Sequence, residues 1–182
     1  MKIVFLDRDG VINRFPGKGM YVTRVEDFHF LPQTLDAVKR LTEAGCEIHV
    51  VSNQGCVSRG LIADEVLMEM TQKMTDQIKR HGGHIQKIHY CKHQTSDNCE
   101  CRKPKIKLFR DVLHGRNIDL REVYFVGDSA EDMKAGKDLG CRTVLVLSGR
   151  NAAEDVAGLP DQPEIVLKDL GEAAEWILQK RS

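Results

Sequence analysis

The sequence predicts an α/β fold, a doubly wound parallel sheet in one domain spanning residues 1–182. Three observations predict it. Short apolar runs alternate with amphipathic segments of helical period along the whole chain, the pattern of a parallel sheet covered on both faces. The first run, residues 2–6, is apolar without a break from Ile3 onward, as a buried parallel strand is. Polar residues with chemical potential follow the runs at one end, Asp7, Ser52, Cys91 and Asp128 among them, and open parallel sheets bind ligands at that edge.

The first strand ends in Asp7-Arg8-Asp9-Gly10, where the glycine permits a sharp turn. Residues 12–32 form a loop broken by Pro16, Gly17 and Gly19. Leu35, Val38 and Leu41 recur at helical spacing, so 33–44 is a helix with Gly45 as its stop. A second strand over 47–52 ends in Ser52-Asn53-Gln54-Gly55. Val66, Leu67, Met70, Met74 and Ile78 then mark one face of a helix over 63–81, and this methionine stripe is read as core. A strand over 85–90, a helix over 106–116, a strand over 123–126, a helix over 130–139, a strand over 142–147, and a last strand and helix at 165–167 and 173–179 complete the alternation. No internal repeat or low-complexity segment interrupts it.

A chain of 182 residues buries about 70% of its unfolded surface in one core and needs no covalent staple. Lysine plus arginine equals aspartate plus glutamate at 27 each, a balance that does not indicate a nucleic-acid or membrane partner. No run approaches membrane-spanning length and no signal segment opens the chain, so a soluble, cytoplasmic protein is expected. Of six cysteines, three fall between positions 91 and 101, which favours a metal over a disulfide framework.

Asp7 and Asp9 at a dry strand end raise one another's pKa unless a cation lies between them. Mg²⁺ suits them, because it takes hard oxygen ligands, keeps waters and brings phosphate oxygens with it. Asp128, after the apolar run 123–126, completes that shell, and Asp132 one helical turn on orients the metal's waters or a lysine. Ser52 offers a hydroxyl and the amides behind it to a phosphate; Lys103 offers a point charge, and Arg102 reaches other substrate oxygens. Singly, each has a plain alternative as a turn cap or solvated charge; in this order at successive strand ends they make a phosphoryl-transfer site. Cys91, His93, Cys99 and Cys101 supply three thiolates and an imidazole, the complete ligand set of a closed tetrahedral Zn²⁺ site. Because Arg102 and Lys103 follow the last ligand directly, this zinc is expected to be structural and to fix those cations.

The segments FLDRDGVIN, VVSNQ, CRKP and FVGDSAEDM resemble the four motifs of the haloacid dehalogenase superfamily of phosphatases. The resemblance implies a Rossmann-like core in which Asp7 is the nucleophile and forms an aspartyl phosphate. Asp9 is then the acid and base, Ser52 and Lys103 hold the transferring group, and Mg²⁺ is bound by Asp7, the Asp9 carbonyl and Asp128. The zinc loop is similar to those of the phosphatases of heptose bisphosphate and of histidinol phosphate. GMYV and SNQGCVSRG look more like the former, although Ser129 stands where those enzymes often carry lysine.

The spacing of the motifs leaves no room for a cap domain, so specificity is expected from three loops: 13–27, 53–60 and the zinc loop. Tyr21, Asn53, Gln54, Arg59 and Arg102 are the candidate substrate contacts, with Lys18 a further cation. The expected partner is a small phosphorylated molecule acted on by a monomer. Two other classes fit parts of the pattern. A phospho-accepting receiver places its acceptor aspartate after a central strand, where this chain has Tyr90-Cys91; a zinc-binding interaction module has no use for the full acid set.

Overall fold

The structure, a computed structural model, describes residues 1–180. Six strands, β1 (Ile3–Leu6), β2 (Glu47–Asn53), β3 (Lys87–Cys91), β4 (Val123–Gly127), β5 (Arg142–Val146) and β6 (Ile165–Leu167), pair in parallel in the order β3-β2-β1-β4-β5-β6. The chain thus winds outward from β1 in one direction and from β4 in the other. A crevice opens between those two strands at their carboxyl ends.

Helices cover both faces. Helices α1 (Thr34–Glu43), α2 (Asp64–Arg80) and α5 (Leu170–Gln179) bury Val38, Leu41, Met70, Met74, Ile78 and Ile177 against Val4, Leu6, Val50 and Val126. Helices α3 (Lys107–Leu113) and α4 (Ala130–Leu139) bury Phe109, Ala135 and Leu139 against Ile3, Phe5, Val51 and Phe125. Both sides of each central strand are therefore dry, which is why these strands read as continuous apolar runs. The methionine stripe of α2 is core, as its period predicts.

Three departures from the sequence reading have a local reason. Helix α5 starts three residues early because the Asp169 side chain accepts from the Glu172 amide and caps it. Helix α3 ends at Leu113: Gly115 turns the chain at φ +71°, and the Arg116 guanidinium is drawn into a bidentate pair with Glu47 at 2.6 and 2.7 Å. The 7–33 connection holds one short 3-10 turn, Val25–Asp27, and Phe30 makes a single antiparallel bridge to Asn13. No inserted domain occurs among the described residues, and no helix is long and apolar enough to cross a membrane.

Candidate active site

Strand ends bring the predicted residues to the β1–β4 crevice. The ladder continues one residue past β1, the Asp7 amide donating to the Val126 carbonyl at 3.0 Å, and this sets the Asp7 side chain beside Asp128. Two turns close around Asp128. A Cβ built on Gly10, at φ +88°, would lie 2.2 Å from Asp128 Oδ2, and one on Gly149 would lie 2.0 Å from the same oxygen. Only glycine fits at either position.

Asp7, Asp128 and Asp132 gather with ligand oxygens within 4.8 Å of one another, and Lys103 is the buried cation among them. Its Nζ lies 3.0 Å from Asp7 Oδ1 and 2.8 Å from Asp132 Oδ1. Burial disfavours the Lys103 charge, but Asp132 and then Asp7 outweigh it and hold the ammonium above its ordinary pKa. The carboxylates move the other way. Burial, with Asp132 and Asp9 nearby, pushes Asp7 up to about 6 against the opposing pull of Lys103. Burial, Asp132 and Asp7 push Asp128 well above the carboxylate range.

This charge imbalance is the test of fit for Mg²⁺. Asp132 is spent: Oδ1 faces Lys103, and Oδ2 accepts from the Asp128 amide, the Ser129 amide and the Ser129 hydroxyl at 3.1, 3.1 and 2.6 Å. Asp7 Oδ2 and Asp128 Oδ1 accept no hydrogen bond among the described residues, while Asp7 Oδ1 and Asp128 Oδ2 take the Arg8 and Arg150 amides at 2.7 Å. Two neighbouring carboxylates, each with an oxygen that accepts no hydrogen bond, and an excess of negative charge suit a hard divalent cation.

Asp9 is held differently. Burial raises its carboxyl, but Arg8, Asn13 and Gln54 bring it below the usual range. Asn13 Nδ2 donates to Oδ1 and Gln54 Nε2 to Oδ2, each at 2.8 Å. Gln54 is fully buried and also donates to Ser52 Oγ at 3.1 Å, so it lies behind the site and outside the cavity lining. Asn53 clamps Lys103 from both sides, accepting from its amide at 3.0 Å and donating to its carbonyl at 3.1 Å.

The four candidate zinc ligands, Cys91, His93, Cys99 and Cys101, come together. Sulfur contacts among Cys91, Cys99 and Cys101 are 3.3–3.6 Å, and His93 Nδ1 lies 3.2 Å from Cys101 Sγ and 3.9 Å from Cys91 Sγ. Tetrahedral bonds of about 2.3 Å to sulfur place neighbouring sulfurs about 3.8 Å apart, so a Zn²⁺ ion fits this donor set. All four ligand atoms lie within 4.8 Å of one another, and no pair of cysteines is bonded. The loop is tied to β2: the Gln54 amide donates to the Cys91 carbonyl at 2.7 Å, and Arg102 Nη1 donates to the His93 carbonyl at 3.1 Å.

Above the carboxylates opens a cavity of about 370 Å³, walled by Phe15, Pro16, Met20 and Tyr21 on one side and by Gln94, Asn98, Arg102 and Lys105 of the zinc loop on another. Asp7, Asp9, Ser52, Lys103 and Asp128 form its floor. Arg59 and Lys18 are outside the lining; the Arg59 guanidinium stacks 5.7 Å from the Tyr21 ring. Sequence reading missed Arg150, which lines the cavity, stacks on Phe15 at 5.6 Å and meets Glu131 at 3.3 Å. Its signal was available, since Ser148-Gly149-Arg150 follows β5 at the same edge as the other site residues.

Residues 100–173 match the HAD-hydrolase-like family model. The chain is 36% identical over 182 residues to the D-glycero-beta-D-manno-heptose-1,7-bisphosphate 7-phosphatase of Bordetella bronchiseptica, covering 99% of each. The chain belongs to this family of haloacid dehalogenase-like phosphatases. The namesake enzyme of Pseudomonas aeruginosa is 33% identical over 97% of this chain and 98% of its own. The crystal structure of the B. bronchiseptica D,D-heptose 1,7-bisphosphate phosphatase, complexed with magnesium and phosphate, superposes with a TM-score of 0.90 over the whole of both chains at 36% identity. Members of this phosphatase family are phosphoric monoester hydrolases.

Proposed function

We propose that the protein removes the C7 phosphate of D-glycero-beta-D-manno-heptose 1,7-bisphosphate through an aspartyl phosphate. The observation that carries this reading is identity of 33–36% over essentially the full length to phosphatases of that name. The buried acid–lysine cluster supports it by supplying the parts such a reaction needs.

Ser52 Oγ and Lys103 Nζ bind the phosphoryl oxygens, and a carboxylate oxygen of Asp7 attacks phosphorus. As the Asp7–phosphorus bond forms, the ester bond breaks, its electron pair passes to the sugar oxygen and Asp9 delivers a proton there. Water then attacks phosphorus and gives its proton to Asp9. The Asp7–phosphorus bond breaks, the electron pair returns to the carboxylate, and inorganic phosphate leaves. Incoming phosphate charge works against ionisation of Asp9 and so favours the protonated form the first step uses. Asp132 keeps Lys103 charged and aimed. Held by Asp7, Asp128 and the Asp9 carbonyl, Mg²⁺ would supply compensation for the phosphoryl charge. Zn²⁺ on Cys91, His93, Cys99 and Cys101 would supply rigidity to the loop carrying Arg102 and Lys103.

The second phosphate of the substrate projects into the cavity, where Arg102 and Arg150 offer guanidinium groups to it. Histidinol phosphate brings an ammonium and an imidazole to the same wall. We therefore expect kcat/KM for the heptose bisphosphate to exceed that for histidinol phosphate by at least about tenfold, ~1.4 kcal/mol. Steady-state kinetics on both esters test this, and a preference for histidinol phosphate would overturn it.

For the zinc loop, the expected result is one Zn²⁺ per chain by elemental analysis of reduced protein. Chelation should lower activity even after Mg²⁺ is restored. Full activity in a Cys99→Ser, Cys101→Ser double variant would show that Lys103 is held without the metal, by the Asn53 clamp and its pairs with Asp7 and Asp132.

A further inference from the structure

Among the described residues Arg8 heads the fully buried side chains by size, at 1% exposure, and it takes no direct part in the phosphoryl transfer. It stands between the two acids of β1's end, yet its side chain turns away from Asp7 into a box formed by the Phe28 and Tyr90 rings, 6.0 and 5.9 Å from the guanidinium carbon. That box is itself fixed. Tyr90 Oη lies 3.0 Å from Thr71 Oγ1 on α2, and Phe28 packs edge-on to Phe30 with centroids 5.3 Å apart.

From this seat Arg8 reaches only Asp9 among the carboxylates. Nη2 donates to both Asp9 oxygens at 3.0 Å, and Nε reaches Oδ1 at 3.3 Å. Asn13 and Gln54, both fully buried, add one donor to each oxygen. Three buried side chains thus over-determine the plane of a carboxylate that still lines the cavity, with 17% of its side chain exposed. A solvated aspartate turns about χ1 and χ2; one gripped on both oxygens presents a single face. Simple charge balance would need one contact, and any basic residue would provide it.

We infer that Arg8 is the positioning residue for Asp9, and that its fork, seated on Phe28 and Tyr90, aims the carboxyl so that its proton reaches the leaving oxygen. This rests on the reading of Asp9 as proton donor. Loss of aim differs from loss of fold in what it does to substrates. Esters with basic alkoxide leaving groups depend on proton delivery, whereas p-nitrophenolate departs without it.

The test is kcat/KM across phosphate monoesters running from p-nitrophenyl phosphate to alkyl phosphates, a quantity that reports events up to departure of the leaving group. Arg8→Met is expected to lose at least about tenfold more on alkyl esters than on p-nitrophenyl phosphate, within the range that a general acid contributes. Arg8→Lys, which keeps the charge and lacks the fork, should fall between Arg8→Met and the parent. Equal losses on every ester, or none, would overturn the inference. Asp9→Asn in the same series separates the two readings: if it does not steepen the dependence, the proton-donor role fails; if it does while Arg8→Met does not, only the positioning role fails. Should thermal melting show Arg8→Met unfolded, Arg8→Lys decides, and a parental leaving-group dependence in it counts against Arg8.

Discussion

An Asp7→Asn variant is expected to lose phosphatase activity by a thousandfold or more, about 4 kcal/mol or more in barrier, while melting at or above the temperature of the parent. The two effects have opposite signs for one physical reason. Asp7 is crowded: burial, Asp132 and Asp9 raise its carboxyl to about 6 in spite of Lys103, so its negative charge opposes the fold at neutral pH. The neutral amide removes that opposition, and Lys103 keeps its partner Asp132 at 2.8 Å. The amide is also a poor nucleophile toward phosphorus and a poor ligand for a hard cation. Turnover of p-nitrophenyl phosphate and a melting curve, run side by side, check both halves. Retention of more than about a tenth of the parental rate would sink the covalent mechanism. A large fall in melting temperature would mean that the carboxylate is structural.

The parts of this site that could be read in the sequence lie directly at strand ends. Asp7 and Asp128 each close an apolar run and Ser52 closes a strand-like one, so a parallel sheet brings them to one edge whatever the loops do. The convergence of Cys91, His93, Cys99 and Cys101 was equally legible, because the four lie within eleven residues and need little tertiary information to meet. Asp132 was legible by helical period, one turn beyond Asp128 and, in the fold, 2.8 Å from Lys103.

What escaped was set by long-range packing. Arg8 has no sequence neighbour that marks it as buried; only Phe28, Tyr90 and α2, remote in sequence, turn its position into a buried box. Gln54 and Asn53 follow Ser52 and so look like substrate contacts. In the fold, Gln54 faces inward to Asp9 and Asn53 grips the Lys103 backbone as well as lining the cavity. Arg59 appears free in its loop and instead stacks on Tyr21, while Arg150 enters the cavity from a strand end that carried no acidic marker.

Lys103→Met should damage both the fold and the reaction, and the pH dependence of the damage identifies the groups involved. The lysine is 4% exposed and is the buried cation between Asp7 and Asp132, with Asp128 close by. Removing one partner of a buried ion pair costs about 3–5 kcal/mol, because the remaining charge stays desolvated and unpaired. Here the remaining groups are carboxylates that can escape by taking up protons. Asp7 already has a folded-state pKa of about 6, above its ordinary 3.8, through burial that Lys103 partly offsets. Without Lys103 it must rise further, and burial already holds Asp128 high. A carboxyl raised in the folded state binds a proton that the unfolded chain has released, so stability falls as pH rises from the unfolded value toward the folded one. The variant is therefore expected to be more stable at pH 5 than at pH 8, losing ground from about pH 3.8 upward through the raised folded value, while the parent, with its ammonium in place, changes less. Activity on any phosphate ester should drop by at least about a hundredfold at every pH, since the phosphoryl group loses a preorganised cation. Chemical denaturation at pH 5 and pH 8 provides the measurement. A deficit that is equal at the two pH values would show that Asp7 and Asp128 are not the groups Lys103 protects, and a variant as stable as the parent at pH 8 would show that the buried pairs do not hold the fold.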